Sequence, residues 1–584
     1  MLILRVDQRH CGICMQKYFI GLLIMGLLIT TYATLPRVDH AEANALFYFQ
    51  HLTLLYYASV FVTIAVAIYW RRSFLGLFSA IVFGLLIFFT PSVMCVQPWF
   101  PDTYPFVAEA VYAQRNGHLG EFHYLSVNPV IGLFFAPLLM MTSIDPFMLV
   151  KIYPAFIAIF FSVALYLIGK KMGIAKGSLV IAPLLFFSIA WPNEFHFSRQ
   201  SFSLVFYLIS FFLTLHLISS KADRRVFALL VLQIVILTMS HPATPLIFIV
   251  NLVAIIIVSK IFQGSKLTKA HELTIFRVMM VSIVSWFLWN TFNPTGAIYS
   301  LEAIMQRFFV SLLESPTNPA GTARIFGGYT PIYRLTINIR LALTLVAFAT
   351  ASAFLLFLIR RFRACKASTF ILGWFASNLL TAIPLLYAGL PYSSRPILFT
   401  IIAWAPLGAL FYGIPDVAHN SWLAMRVRRI AKSAFIVGLI LVPTLLMPAI
   451  KYGPLPFLYP TSKELANKYF LDLHLVGDET LVYLEYNIPW AYSYVRGESM
   501  IDMRETKVFL AYDVYVPGEG LNKSITDKAS IWVTERLLTR DGFWINTPSM
   551  LDVAEDAVNE LTEARHHKVY DSGGFESILK PTAR

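Results

Sequence analysis

Pro101-Asp102-Thr103-Tyr104-Pro105-Phe106-Val107-Ala108-Glu109-Ala110-Val111-Tyr112-Ala113-Gln114-Arg115-Asn116-Gly117-His118 is set between apolar runs long enough to cross a bilayer. Pro105 near its start and Gly117 just past its end suit a short helix. Phe106, Val107, Ala110 and Val111 give that helix an apolar side, expected to lie along a membrane surface. Asp102 sits at its mouth. As a helix cap, Asp102 or Thr103 is worth ~1 kcal/mol. As a carboxylate held where bilayer meets water, Asp102 can serve as acceptor base or metal ligand. Glu109, seven residues on, shares its helix face and offers a second carboxylate. His118, Glu121 and His123 add ionisable groups that, taken singly, read as solvated loop residues.

The surrounding composition sets the class. Of 584 residues, 57% are hydrophobic and 14% charged, with a mean hydropathy of +0.66. Soluble domains carry about 45–50% apolar and about 25% charged residues, so an ordinary soluble enzyme and a disordered chain are both excluded. The net charge of +13 hides a split. Residues 1–454 hold 33 Lys+Arg against 13 Asp+Glu, a net of +20; residues 455–584 hold 13 against 20, a net of −7. The basic residues lie between apolar runs of bilayer length, which is membrane topology and not a nucleic-acid face.

Thirteen runs qualify or nearly qualify as spans: 18–35, 47–70, 74–97, 146–168, 178–193, 198–219, 226–240, 242–260, 273–290, 335–359, 368–390, 395–413 and 431–450. A fourteenth, 128–143, is short and interrupted by Pro137, and is expected to be re-entrant or half-buried. Lys and Arg cluster at 71–72, 170–176, 221–225, 260–269, 360–366 and 426–432. With these turns cytoplasmic, the N-terminus is inside, and the loops 98–127 and 291–334 and the tail 455–584 are extracytoplasmic. The deliberate-looking polar residues then collect outside. Run 18–35 is taken as a retained span and not a cleaved signal. Cys11 and Cys14 have no second pair nearby, which argues against a metal site.

Other outside segments carry candidates. The turn Trp191-Pro192-Asn193-Glu194-Phe195-His196-Phe197-Ser198-Arg199 is dense for a hairpin between spans; Glu194, His196 and Arg199 either line a pocket or form a solvated turn. His241, between Ser240 and Pro242, is a helix-end histidine by default. Residues 300–315 have the spacing of an interfacial amphipathic helix. The turn-rich stretch after it, through Gly327-Gly328-Tyr329, reads as a loop or a lid.

Pro101-Asp102-Thr103-Tyr104 with Gly117-His118-Leu119, then Asn128-Pro129, resembles the GT-C glycosyltransferases. These include protein O-mannosyltransferases, the lipid A aminoarabinose transferase and the catalytic subunit of oligosaccharyltransferase. Tyr392-Ser393-Ser394-Arg395-Pro396 with Pro406 resembles the pattern opening a late span in the mannosyltransferase branch. Lys568-Val569-Tyr570-Asp571-Ser572-Gly573-Gly574 resembles the last hairpin of the outside domain in archaeal and bacterial members, and Ser240-His241 a motif of related archaeal enzymes. The resemblance implies a polytopic GT-C-like membrane domain of about 13 spans with an extracytoplasmic α/β domain. It implies transfer of a sugar from a polyprenyl-phosphate donor to a lipid, glycan or protein acceptor. Asp102 would be base or metal ligand, a divalent metal being possible. Arg395 would hold the leaving phosphate, with Arg199 and Arg334 as further phosphate candidates; Arg334 and Arg340 can equally snorkel to headgroups. Glu194, His196, His241, His118 and Tyr329 are pocket candidates. Asp102 is followed by Thr where many members have Asp-Glu. The tail lacks a Trp-Trp-Asp motif, which argues against protein N-glycosylation. The rival classes are a transporter or flippase for a lipid-linked glycan, and an envelope-assembly scaffold.

In the tail, 462–474 and 550–565 read as helices, 479–485 and 530–534 as strands, and 568–579 as a terminal hairpin. This composes an α/β domain over 455–584, an acceptor-positioning or stabilising cap with no nucleophile or phosphate-loop motif of its own.

Overall fold

A computed structural model describes residues 2–38, 51–98, 103–119, 128–190, 195–219, 223–261, 268–292, 331–361, 366–387, 394–413 and 422–451, together with strands at 480–483, 515–516, 520–521, 529–533, 566–571 and 577–581. Every one of the thirteen apolar runs carries a helix. In chain order these are α1 (Leu2–Thr34), α2 (Leu54–Tyr69), α3 (Phe74–Phe88), the short α4 (Thr90–Met94), α5 (Thr103–Asn116), α6 (Val130–Thr142), α7 (Pro146–Lys171) and α8 (Ile181–Ile189). There follow α9 (Arg199–Ser219), α10 (Arg224–Ser240), α11 (Thr244–Ile261), α12 (Lys269–Phe292), α13 (Pro331–Arg361), α14 (Lys366–Tyr387), α15 (Ser394–Gly413) and α16 (Trp422–Lys451).

By length and composition, five described segments can cross a membrane unaided: Met15–Thr34, Pro146–Lys171, Arg199–Ser219, Thr244–Ile261 and Lys269–Thr291. Shorter apolar helices stand among them. At 1.5 Å per residue α6 is about 20 Å long, short of the roughly 30 Å hydrocarbon layer. Pro137 lies inside α6 and does not end it.

Side chains fix where several helices begin. The Asp145 carboxylate accepts from the Phe147 and Met148 N–H groups at the start of α7, at 2.9 and 3.1 Å. Asp223 does the same for Arg225 ahead of α10, at 2.8 Å. Each such cap satisfies donors that the helix itself leaves unpaired.

All nine residues of α8 are buried, and α3, α7, α15 and α16 pack around it. Rings fill the interior: Phe88 stacks on Phe195 at 4.5 Å, Phe161 on Phe186 at 4.9 Å, and Phe211 on Trp374 at 4.3 Å. The outward faces of α1 and α12 expose Phe19, Leu22, Ile29, Phe276 and Phe287, the arrangement of helices that meet lipid. In the middle of the bundle Tyr207, Asn251, Trp374 and Ser377 join three helices. The Asn251 amide and Trp374 indole both donate to the Tyr207 hydroxyl, at 2.7 and 2.6 Å, and Ser377 donates to the Asn251 carbonyl at 2.5 Å. Buried polar groups satisfied by one another specify a single packing.

Basic turns gather at one end. Arg71 donates to the Tyr412 hydroxyl and lies over its ring. A Cβ at Gly177 would meet Arg72, and one at Gly413 would meet Ser178. At the opposite end Val38 pairs with Cys95 and the 195–199 turn meets α5.

The strands at 480–483, 529–533, 566–571 and 577–581 fall close to the expected places, whereas those at 515–516 and 520–521 were not expected. A four-stranded sheet has the order β1 (Thr480–Tyr483), β4 (Ala529–Val533), β6 (Ser577–Pro581), β5 (His566–Asp571). β1 and β4 are parallel, in register Thr480 to Ala529; β4–β6 and β5–β6 are antiparallel. β2 (Tyr515–Val516) and β3 (Gly520–Leu521) form a separate pair. The expected helices 462–474 and 550–565 lie outside the described residues.

Close packing predicts a discriminating pair of variants. A Cβ at Gly373 of α14 would stand 2.6 Å from the Ile255 Cα of α11, whereas at Gly438 of α16 nothing lies within 4 Å. Gly373→Ala should destabilise the detergent-solubilised chain by about 1–3 kcal/mol, the usual cost of overpacking. Gly438→Ala should not lower the melting temperature; equal loss in both would contradict the close approach.

Candidate functional site

Helix α5 lies where its sequence places it. Its last turn closes at Gly117, whose φ of +72° suits glycine and whose N–H donates to the Ala113 carbonyl at 3.0 Å. Thr103 does not cap α5 through its hydroxyl; that group donates to the Phe197 carbonyl at 3.3 Å, tying the start of α5 to the turn before α9. Tyr104 donates to the Pro98 carbonyl at 3.3 Å. The apolar side of α5 is corrected by the structure: Phe106, Val107, Ala110 and Val111 are buried, and α5 packs against α6. Protein, not lipid, covers that face.

This packing carries Glu109 inward. Its side chain is 2% exposed and that of Arg199, the first residue of α9, is 7% exposed; Arg199 Nη2 stands 3.8 Å from Glu109 Oε2. At that distance the pair attracts without hydrogen-bond geometry. No described residue hydrogen-bonds either Glu109 oxygen. Gly132 of α6 backs the carboxylate: a Cβ there would lie 3.2 Å from Glu109 Cγ and 3.3 Å from Oε1. Arg199 also lies over the Phe106 ring, 5.2 Å from its centroid. Burial pushes the Glu109 carboxyl up to about 8, against the opposing pull of the Arg199 charge.

The turn bearing Arg199 is held by aromatic packing. Phe197 meets Phe135 at 4.6 Å and Tyr153 at 5.2 Å, and Tyr153 shares a hydrogen bond with Ser201 at 3.1 Å. Ser198 accepts from the Ser201 N–H at 3.2 Å and so caps α9. His196 is buried in the same turn. A solvated hairpin would not bury His196, Phe197, Ser198 and Arg199 together.

His241 stands at the start of α11. Its Nδ1 accepts from the Thr244 N–H at 3.3 Å and shares a hydrogen bond with the Thr244 hydroxyl at 3.0 Å, which in turn meets Ser203 of α9 at 2.8 Å. An Nδ1 that accepts leaves the ring proton of a neutral histidine on Nε2. His118 is exposed, bonded through Nδ1 to the Leu119 carbonyl at 2.9 Å and edge-on to Tyr112. It is not brought to Glu109.

Arg395 is the second residue of α15 and Arg334 lies in the first turn of α13. Phe399, one turn after Arg395, meets Tyr207 of α9 at 5.0 Å. α9 and α15 both start at this end of the bundle, so positions 199 and 395 share it. Asp102, Glu194 and Tyr329, like the 300–315 helix and the stretch after it, lie outside the described residues. Among the described residues no three His, Cys, Asp or Glu side chains come together as metal ligands, and Arg199 beside Glu109 would repel a cation.

Lys151 was missed in the sequence because it lies inside an apolar run. It donates to the Cys95 and Val96 carbonyls at 2.8 and 3.1 Å.

No protein-family model matches the chain, and no curated protein matches it. Among solved structures it is similar to the archaeal oligosaccharyltransferase AglB of Archaeoglobus fulgidus, in complex with an inhibitory peptide and a dolichol-phosphate. The TM-score is 0.50 at 11% identity, over 87% of this chain and 74% of that one. Two other structures of the Archaeoglobus fulgidus enzyme align as well. One is tethered to an acceptor peptide containing the NVT sequon, with a TM-score of 0.47 at 11% identity over 84% and 71% of the chains. The other is a complex with Zn and sulfate, with a TM-score of 0.44 at 12% identity over 82% and 69%. The first likeness gives the fold: the chain is folded like the archaeal oligosaccharyltransferase AglB.

The buried carboxyl gives a signed pH prediction. Its ordinary value is 4.5 and its folded value about 8, so between these the folded state binds more protons than the unfolded one. Its contribution to stability is present below about 4.5 and is lost as pH rises to about 8. Glu109→Gln should flatten that fall when melting temperature is followed against pH; an unchanged difference between variant and parent at every pH would contradict the burial.

Proposed function

We propose that the chain is a membrane glycosyltransferase of the GT-C type. It transfers a sugar from a polyprenyl-phosphate donor to an acceptor on the extracytoplasmic face. The observation that carries this reading is the buried Glu109–Arg199 pair, at the end of the bundle opposite the basic turns. The positive-inside bias makes the basic end cytoplasmic, which puts the pair, the start of α15 and the loop holding Asp102 outside. The fold likeness to AglB, a structure of which contains a dolichol-phosphate, supports a lipid-phosphate donor. It does not select the O-mannosyltransferase or aminoarabinose branch.

The chemistry assigns a task to each group. An acceptor hydroxyl gives its proton to a carboxylate, Asp102 in this reading, as its oxygen bonds to the anomeric carbon. The bond from that carbon to the phosphate oxygen breaks, and the lipid phosphate leaves with the electron pair. Arg395 and Arg199 hold that anion by charge-assisted bonds. Arg199 is suited to this because it is a cation fixed at the start of α9, beside Glu109. Glu109, largely protonated near neutral pH, then remains without stranding a buried charge. The 455–584 domain lies outside and positions the acceptor.

The rival reading as a transporter calls for a substrate site at the midplane. The mid-bundle polar residues Tyr207, Asn251 and Ser377 are instead spent on one another, which favours a transferase. With purified full-length chain and a polyprenyl-phosphate-linked sugar, Asp102→Ala should slow transfer by about 10²-fold or more, as loss of a positioned base does. Arg395→Ala should slow it comparably, both with normal expression and folding. Unchanged transfer in both variants would overturn the site.

A further inference from the structure

A second cationic locus lies at the same end of the bundle, on other residues. Val38, just after α1, pairs with the segment after α4: its N–H donates to the Met94 carbonyl at 2.7 Å, and its carbonyl accepts from Val96 at 3.2 Å. Lys151, near the start of α7, reaches the same segment and donates to the Cys95 and Val96 carbonyls. Arg37, next to Val38, is exposed and lies within electrostatic reach of Lys151. The ion pairs among the described residues are Arg199–Glu109 and Lys260–Glu272; Asp39, Glu42 and Asp102 lie outside the described residues. Two like charges gathered at one spot cost free energy unless an anion joins them. Two of the three Lys151 donors are used on carbonyls, and the third remains for a ligand.

An apolar lane leads to this spot. α1 and α7 both pack on α3. α1 meets α3 where a Cβ at Gly21 would lie 3.8 Å from Leu75 Cδ1, and where Tyr32 meets Phe89 edge-on at 5.6 Å. Phe78, Ile81 and Leu85 of α3, with Phe89 just past its end, recur at helical spacing and remain half-buried. They form one stripe about 16 Å long at 1.5 Å per residue, ending at Phe89 beside α1. A stripe of apolar side chains with two cations at its outer end has the form of a lipid: chain along the helix, anionic head at the mouth.

We propose that Arg37 and Lys151 bind the phosphate headgroup of an anionic membrane lipid whose acyl chain lies along the half-buried stripe of α3. The proposal does not depend on the transfer reaction. Its consequence is local order: the Cys95–Pro98 segment, which Lys151 holds by its carbonyls, leads directly into α5 through the Tyr104–Pro98 hydrogen bond. A bound headgroup offsets the repulsion between the cations and steadies the approach to Glu109.

The test uses the full-length chain in phosphatidylcholine vesicles doped with phosphatidylglycerol carrying a photoreactive group in its acyl chain, with crosslinked peptides mapped after illumination. Label is expected on 78–89 and on the end of α1. Arg37→Gln, at an exposed position, should lower it about tenfold, the value of ~1.4 kcal/mol of lost charge-assisted binding. Lys151→Gln should do the same, and Lys151→Arg should retain the label. Label at the basic end should be unchanged and serves as the internal control for folding. Equal labelling by a photoreactive phosphatidylcholine, or full labelling in Arg37→Gln, would overturn the proposal. So would loss of the label on adding millimolar inorganic phosphate, which would point to a soluble anion and not a lipid.

Discussion

A carboxyl and a guanidinium, both shut away from water and facing each other at 3.8 Å, constrain one end of this molecule. Taking the guanidinium out of water costs several kcal/mol, and burial keeps the Glu109 carboxyl largely protonated near neutral pH, so it does not add a second buried charge. The cost is met by what surrounds it. The apolar face of α5 is buried against α6, Gly132 gives the carboxylate room, and Phe106 lies under the guanidinium. Phe135, Tyr153 and Phe197 fix the turn that delivers Arg199.

The bundle supplies the rigidity that this site needs. α8 is buried along its whole length and rings from neighbouring helices interlock around it. The cluster of Tyr207, Asn251, Trp374 and Ser377 fixes α9, α11 and α14 relative to one another. α9 begins with Arg199 and α11 begins at the His241 cap, so the same cluster that locks the mid-bundle sets the spacing of the residues above it. A carboxylate and a phosphate-binding arginine must be placed to within about half an ångström to act together, and helices locked in this way are able to do so.

Much of this was legible in the sequence, for identifiable reasons. Apolar runs near 20 residues long mark helices because the bilayer leaves the backbone no alternative, and all thirteen runs carry one. Gly117 ended α5 as expected, since the left-handed position favours glycine. The β5–β6 hairpin was readable at 568–579, where the residues around Gly573-Gly574 resemble the last hairpin of the outside domain in archaeal and bacterial GT-C members. The covering of α5 was not readable: an amphipathic helix shows that one face is buried, not whether lipid or protein buries it. Nor was the pairing of Glu109 with Arg199, ninety residues apart, which only tertiary packing decides. His118 looked equivalent to His196 in sequence; packing separated them, one into solvent and one into the core. Lys151 escaped notice because a lone cation in an apolar run carries no periodic signal.

The central claim is that Arg199, set beside Glu109, holds the leaving phosphate in transfer, and a double-mutant cycle tests it most directly. Transfer rates would be compared for the parent, Glu109→Gln, Arg199→Gln and the double variant, each with its melting temperature. Coupled residues give non-additive effects, so the account predicts that Arg199→Gln is slow, that Glu109→Gln, which keeps an uncharged side chain, transfers near the parental rate at neutral pH, and that the double variant is no slower than Arg199→Gln. An Arg199→Gln variant that transfers at the parental rate and differs only in melting temperature would show that the pair is a structural tie, and would contradict the account.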